Sequence, residues 1–300
     1  MKDFLSKVAI FIILIGSITI GLILLSDFAV KKRKPELLQI SNKIDIVFSG
    51  DSHVECSVND NLIANSINIA QSGEAYLYSY AKIKSLLEYN DQISTIYIGY
   101  SYGDLLKDKE TRWLFGDASV TEFIKNYNYL LEGSDRSIIF QANSKAYLRG
   151  LVKSAFRNFQ TFARSFSENP DKRKIINYGG YLYLVRDKLQ EDKDMVDTYR
   201  DEPLVISQIQ EEYLKMLSQL CQEKSVKLVL LNTPKYRYYN LNVNREIRQN
   251  WISFRQTMPK DSLLDLSSIS LPDSCYGDMT HLNYIGAELF SRYLNDLLHK

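Results

Sequence analysis

From Val8 to Leu25 the chain carries no charge, and only Gly16, Ser17, Thr19 and Gly21 interrupt its apolar side chains. As a helix rising about 1.5 Å per residue, this stretch nearly matches a hydrocarbon core of about 30 Å. Contact with a membrane through residues 8–25 is therefore expected. Leu24, Leu25 and Ser26 lead into Asp27 and Phe28 without a small-x-small cleavage site, so residues 1–30 read as an uncleaved transmembrane anchor and residues 31–43 as a linker. A buried core helix, the alternative, needs neighbours that hide every face of it. Lys2 and Lys7 precede the span and Lys31, Lys32, Arg33 and Lys34 follow it, a bias that by the positive-inside rule keeps the remainder in the cytoplasm.

The remaining composition excludes several classes. Thirty-seven basic against 36 acidic residues give no basic field of the kind nucleic acids require. Cys56, Cys221 and Cys275 form no C-x-x-C pair and have no histidine at finger spacing, so neither a structural zinc nor a disulfide framework is expected. A Cys56–Cys275 bridge is conceivable, but three small buried apolar groups is the simpler reading. Nothing in the sequence asks for a cofactor.

Short β-branched runs at Ile44–Phe48, Ser66–Ala70, Thr95–Gly99, Val226–Leu231 and Leu263–Leu266, several of them bounded by turn residues, read as strands of a parallel sheet. Between them, Tyr76–Leu87 and Val205–Leu220 carry apolar residues three and four apart. The last helix spans Tyr284–Leu298, with Asn283 as its cap and Ile285, Leu289, Tyr293 and Leu297 on one face. Strands alternating with helices imply a doubly wound α/β sheet. Residues 104–202 break this rhythm, because βα connections usually take about two to six residues. This stretch reads as a mainly helical insertion subdomain with helix-like segments at Val120–Leu131 and Ala146–Phe166, then a Tyr- and Gly-containing piece at Tyr178–Leu184. The main domain is then residues 44–103 and 203–300, with the insertion placed over its site.

Three histidines occur, His53, His281 and His299, and the last is penultimate. Ser52 lies one residue beyond the Gly50-Asp51 turn at the end of the first sheet strand, where its hydroxyl is exposed and turn N–H groups can face an oxyanion. Near the other end, Asp278 stands three residues ahead of His281. Across one turn a carboxylate can hold the ring's Nδ1–H and leave Nε2 to take a proton from a serine. An ordinary capped turn and a surface Asp-His pair are the plain alternatives. Asp51, His53 and Glu55 alternate like metal ligands, but a strand ending at Gly50 does not continue that alternation, so no metal is assigned and His53 reads as a rim residue contacting substrate. Tyr178, Tyr181 and Tyr183 beside Gly179 and Gly180 read as packing residues more than as a sugar platform.

Together, a strand followed by Gly50-Asp51-Ser52 and a late Asp278-x-x-His281 resemble the first and last blocks of the SGNH (GDSL-like) hydrolase superfamily. The resemblance covers residues 44–103 and 203–300. It implies a flavodoxin-like three-layer sandwich and a Ser52, His281, Asp278 triad. Asn68-Ile69-Ala70-Gln71-Ser72-Gly73 is similar to the second block, which implies that the N–H groups of Ser52 and Gly73 form an oxyanion hole. The third block's Gly-x-Asn is replaced by Gly99-Tyr100-Ser101, so Ser101 or a neighbour has to supply the Asn donor's hydrogen bond. An anchor followed by such a domain with a large insertion resembles bacterial accessory proteins of polysaccharide O-acetylation and teichoic-acid D-alanylation. That resemblance implies an extracytoplasmic domain, an acylated polysaccharide or small ester as substrate, and a multispanning acyltransferase as partner. The activity implied is that of an esterase or O-acyltransferase, with a non-catalytic binding or assembly protein on the same fold as the alternative.

Overall fold

A computed structural model describes residues 1–165, 179–194, 205–259 and 262–299. In chain order its longer elements begin with helix α1 (Lys2–Lys32), strand β1 (Ile46–Ser49), helix α2 (Ser52–Ser57), strand β2 (Ser66–Asn68), helix α3 (Tyr76–Leu87) and strand β3 (Thr95–Gly99). Helices α4 (Asp117–Tyr127), α5 (Gly133–Ala142), α6 (Ser144–Ser165) and α7 (Gln208–Glu223) follow. Strand β4 (Lys227–Asn232), helix α8 (Arg245–Arg255), strand β5 (Leu263–Asp265) and helix α9 (Tyr284–Leu298) complete the series. The chain divides into two compact units: a helical one, Met1–Leu38 with Phe115–Ile176, and a sheet-containing one, Gln39–Leu114 with Asn177–Lys300.

In the sheet unit five strands, all parallel, lie in the order β2-β1-β3-β4-β5. Each expected strand is present, most of them one or two residues shorter at an end. Parallel strands bury both faces, and β1 and the last four residues of β3 are buried throughout. With a side-chain period of two, Phe48, Tyr97, Val229 and Leu231 enter one cluster with Val54 of α2 and Phe290 and Leu294 of α9. Val47, Ile96, Ile98 and Leu230 alternate with them and are also fully buried. Helices α3 and α7 pack on one another, and α7 reaches β4. The arrangement is α/β, consistent with a three-layer sandwich.

Two sequence expectations change in detail. Helix α7 begins at Gln208, capped by Ser207 Oγ on Gln210 N at 3.1 Å, because Ile206 pairs with Leu106 in an antiparallel bridge. Asn283 caps α9 as expected, accepting from Ile285 N and Gly286 N, but the stripe Ile285, Leu289, Tyr293, Leu297 faces outward. The buried face is Gly286, Ala287, Phe290, Ser291 and Leu294, where small residues let the helix close on the chain beneath it.

The helical unit joins the amino-terminal helix to much of the expected insertion. Helix α1 runs on through Lys32, and a short helix at Lys34–Leu38 stands where a linker was expected. Residues Asp3–Lys32 are long and apolar enough to be a membrane anchor or a signal sequence. The foot of α1 is tied to its own unit: Asn128 Nδ2 donates to Asp27 Oδ1 at 3.0 Å, and Arg136 lies 3.5 Å from Asp27 Oδ2. Helix α4 packs against α6, with Ile124 beside Gly150 and Thr121 Oγ1 donating to Ala146 O, and α6 also contacts α1. The expected insertion limits, 104 and 202, differ from the observed ones. The stretch up to Leu114 and the described residues 179–194 belong to the sheet unit; only Phe115 onward joins the helices.

Gly50, at φ +136°, carries the chain out of β1, and a Cβ there would lie 3.0 Å from Gly99 N and 3.1 Å from Gly99 Cα. Because both obstacles are backbone, Gly50→Ala is expected to lower stability by about 2–4 kcal/mol. The denaturation midpoint of the full chain in detergent measures it.

Candidate functional site

Each strand's carboxyl end opens on the same edge of the sheet. Beyond β1 comes Gly50-Asp51-Ser52, and Asp51 caps α2 by accepting a 3.0 Å hydrogen bond from His53 N. Ser52 is thus the first residue of α2, and its backbone N–H has no acceptor among the described residues. Beyond β2 the chain turns through Gly73 at φ +71°, where the Trp113 ring takes the place of a side chain: a Cβ would lie 2.4 Å from it. This turn is anchored from beneath. Lys82, fully buried on α3, binds both the Glu74 carboxylate and the Ile69 carbonyl, and Ser79 Oγ donates to Glu74 at 2.6 Å. Burial pushes the Glu74 carboxyl up to about 7 against the pull of Lys82. The Gly73 N–H likewise has no acceptor among the described residues.

The chain's last motif folds back onto this edge. Asp278 to His281 form a tight loop in which Asp278 Oδ1 accepts from His281 N at 2.8 Å and from Thr280 N at 2.9 Å. The ring's Nδ1 lies 2.8 Å from Asp278 Oδ1, and its Nε2 lies 2.8 Å from Ser52 Oγ. Burial favours the neutral carboxyl of Asp278, but the hydrogen bond and charge of His281, the Thr280 N–H and Arg186 outweigh it and hold the group well below the usual carboxylate range. As Asp278 is ionised, Nδ1 must carry the proton, and Nε2 is left to accept from the serine hydroxyl.

A second Asp-His pair adjoins the first. The rings of His53 and His281 stack with centroids 4.9 Å apart. His53 Nδ1 lies 3.1 Å from Asp51 Oδ1 and 3.3 Å from Ser101 Oγ. Burial, opposed by Asp51 and reinforced by the Lys235 charge, lowers His53 to about 4. Asp51 is kept well below its ordinary value despite burial by His53 and by Lys109, whose ammonium lies between Asp51 and Asp104. Asp51, His53 and Asp104 converge closely enough to hold a metal ion. Lys109 Nζ already bridges these two carboxylates, 3.1 Å from Asp104, and supplies the positive charge that a metal would otherwise bring.

Ser52, His53, Cys56, Gly73, Trp113, Arg186 and His281 line a cleft of about 530 Å³ with Tyr102, Leu182, Leu184, Tyr239 and Ile247. Ser101 does not line it. Its N–H donates to Asp104 at 2.6 Å and its hydroxyl meets His53, so it stands behind that ring and not at the cleft wall. Cys56 and Cys275 are buried free thiols, and burial pushes Cys56 up to about 12. Tyr183 stacks on Tyr284 with centroids 4.5 Å apart; Tyr178 lies outside the described residues.

Several site residues carry little sequence signal. Arg186 arrives on the extended segment 179–188, which is pinned by Leu182 N to Glu55 O at 2.9 Å and Lys188 N to Gly277 O at 2.8 Å. Lys109 lies in the long stretch after β3. Lys235, just past β4, donates to Thr233 Oγ1 and to Thr280 O, each at 3.2 Å, and so props the His281 loop. Burial lowers Lys235 to about 8 in spite of Asp51, Asp104 and Asp278. A lysine three residues past a strand's carboxyl end was the available clue.

Two tests follow from these charges. Lys109→Met leaves Asp51 and Asp104 facing each other without the ammonium that bridges them, an expected loss of about 3–5 kcal/mol in unfolding free energy that Asp104→Asn in the same chain should partly restore. His53, with an unfolded value of about 6.5, binds its proton later in the fold than in the unfolded chain. Its contribution is intact above about pH 6.5 and is lost as pH falls toward 4, on the order of 3 kcal/mol in all. The stability difference between the wild type and His53→Gln should therefore shift in the wild type's favour as pH rises through that window, and a constant difference would show that His53 does not titrate as stated. One family model, which carries no functional description, matches residues 152–300. No curated protein matches the chain.

Proposed function

We propose that this chain is a membrane-anchored serine esterase or O-acyltransferase of the SGNH type, acting on an acylated cell-envelope glycan or a related ester. The observation that carries the reading is the hydrogen-bonded series Ser52 Oγ, His281 Nε2, His281 Nδ1, Asp278 Oδ1, in which both links are 2.8 Å and the first joins residues 229 positions apart. His281 Nε2 takes the Ser52 proton as Oγ attacks the ester carbonyl. The oxyanion is received by the N–H groups of Ser52 and Gly73, and the imidazolium returns its proton to the departing alkoxide. Water or a sugar hydroxyl then attacks acyl-Ser52, again losing its proton to His281, and Ser52 is regenerated. Asp278 stays ionised throughout and steadies the ring. His53 Nε2, opposite the edge held by Asp51, is the substrate contact on the cleft rim.

The anchor favours a substrate that is itself fixed in the envelope. By resemblance to polysaccharide O-acetylation and D-alanylation accessory proteins, the domain works outside the cytoplasmic membrane beside a multispanning acyltransferase. This placement runs against the count of basic residues flanking the span. The second reading, a binding or assembly protein on the same fold, is favoured by Ser101, which replaces the family's Asn donor and is occupied with Asp104 and His53.

A fluorophosphonate probe separates the two. Labelling of the wild type that vanishes in Ser52→Ala supports the enzyme, whereas an unlabelled but folded wild type supports the binding protein. With an activated acetyl ester, Asp278→Asn should lower turnover by about 10⁴-fold, since the wrong tautomer of His281 then faces Ser52.

A further inference from the structure

Helix α6 of the helical unit has two faces of opposite character. Toward α4 it buries Ala146, Tyr147, Gly150 and Ser154. Away from it, Leu148, Val152, Phe156 and Phe159 are 53%, 41%, 70% and 68% exposed. Spaced by four, four and three residues, they form one continuous apolar stripe. Beside the stripe run Lys145, Arg149 and Lys153, all exposed and also four apart, and α6 contains no acidic residue. A soluble surface rarely leaves two phenylalanines so bare within one patch.

The position of this stripe within its own unit identifies the occupant. The charge-free run of α1 ends at Ser26, and Asp27, the first acid after it, accepts from Asn128. Asn128 Oδ1 in turn accepts from the Tyr147 hydroxyl at 3.4 Å, so the first turn of α6 is tied to the level at which α1 leaves its apolar stretch. Resting on the reading of α1 as a membrane anchor, we propose that α6 is an interfacial helix. Leu148, Val152, Phe156 and Phe159 enter the headgroup–acyl boundary, and Lys145, Arg149 and Lys153 bind anionic phospholipid. A second copy of the chain fits less well, because a twofold contact through the stripe brings like-charged rows together.

The three native cysteines are buried, so an environment-sensitive fluorophore can be placed on one introduced cysteine at a time in the full chain. Phe156→Cys reports on α6, Phe11→Cys on α1, and exposed Leu241→Cys serves as the aqueous reference. In vesicles of phosphatidylcholine with phosphatidylglycerol, shallow nitroxide lipids should quench the label at 156 several-fold more than at 241. Joint replacement Lys145→Glu, Arg149→Glu, Lys153→Glu should reduce quenching at 156 and leave 11 unchanged. Quenching at 11 but not at 156 overturns the interfacial helix while the anchor stands, and no quenching at 11 overturns the anchor itself. A label at 156 that is shielded from aqueous iodide yet not quenched by lipid reveals a protein on the stripe, which also overturns the proposal.

Discussion

Parallel pairing on both sides of β1 is the constraint from which the candidate site follows. Because β2 and β3 both run alongside β1 in the same direction, three turns meet at one edge of the sheet, and the connections diverge to either side of β1. A crevice at such a switch point needs no side chain to create it. Gly50 lets the first turn approach Gly99 closely enough for Ser52 to begin a helix at the crevice, and α9 packs against α2 and so brings the preceding loop, with His281, to the same place. The 229 residues between serine and histidine are thus spanned by sheet topology, and no local sequence preference brings the two together.

Around that crevice the fold sustains an unusual amount of buried charge. Buried Asp51, Asp104 and Asp278 are countered by buried Lys109 and Lys235 and by the half-exposed Arg186, which pairs with Asp278. Taking such groups out of water costs several kcal/mol apiece, and well-packed apolar residues usually stabilise a core better. The cost is spent on geometry. An ionised Asp278 fixes which nitrogen of His281 holds the proton, and an ionised Asp51 does the same for His53. The two stacked rings therefore present unprotonated Nε2 atoms while their Nδ1 edges are fixed. Lys235 links the two sets by holding the Thr280 carbonyl while adding a positive field at His53.

How much of this is legible in sequence depends on the range of the interaction. The strands were legible because burial on both faces selects β-branched runs, and Gly50-Asp51-Ser52 and Asp278-x-x-His281 were legible because each is a local turn with local hydrogen bonds. Lys109, Arg186 and Trp113 were not. They act through tertiary contacts from a long connection with no periodic signal. The stripe on α9 misled for a related reason: apolar residues four apart mark a face without saying which face is covered, and there the packing is made by Gly286, Ala287 and Ser291 around Phe290 and Leu294. In α6 the same ambiguity runs the other way. Its Ala146, Gly150 and Ser154 face α4, and Phe156 and Phe159 are left outside.

The chain passes between the two units after Leu38 and again after Leu114. These covalent crossings tether the cleft-bearing unit to whatever the helical unit is fixed to. For a soluble ester such confinement brings nothing. For a substrate held at a membrane it turns encounter into a local search at raised effective concentration, so a shallow affinity suffices. The cleft wall offers both kinds of contact to such a substrate: Leu182, Leu184 and Ile247 supply apolar area, and Asp108, Lys109, Arg186, Asp192, Asn242 and Asn244 supply polar groups.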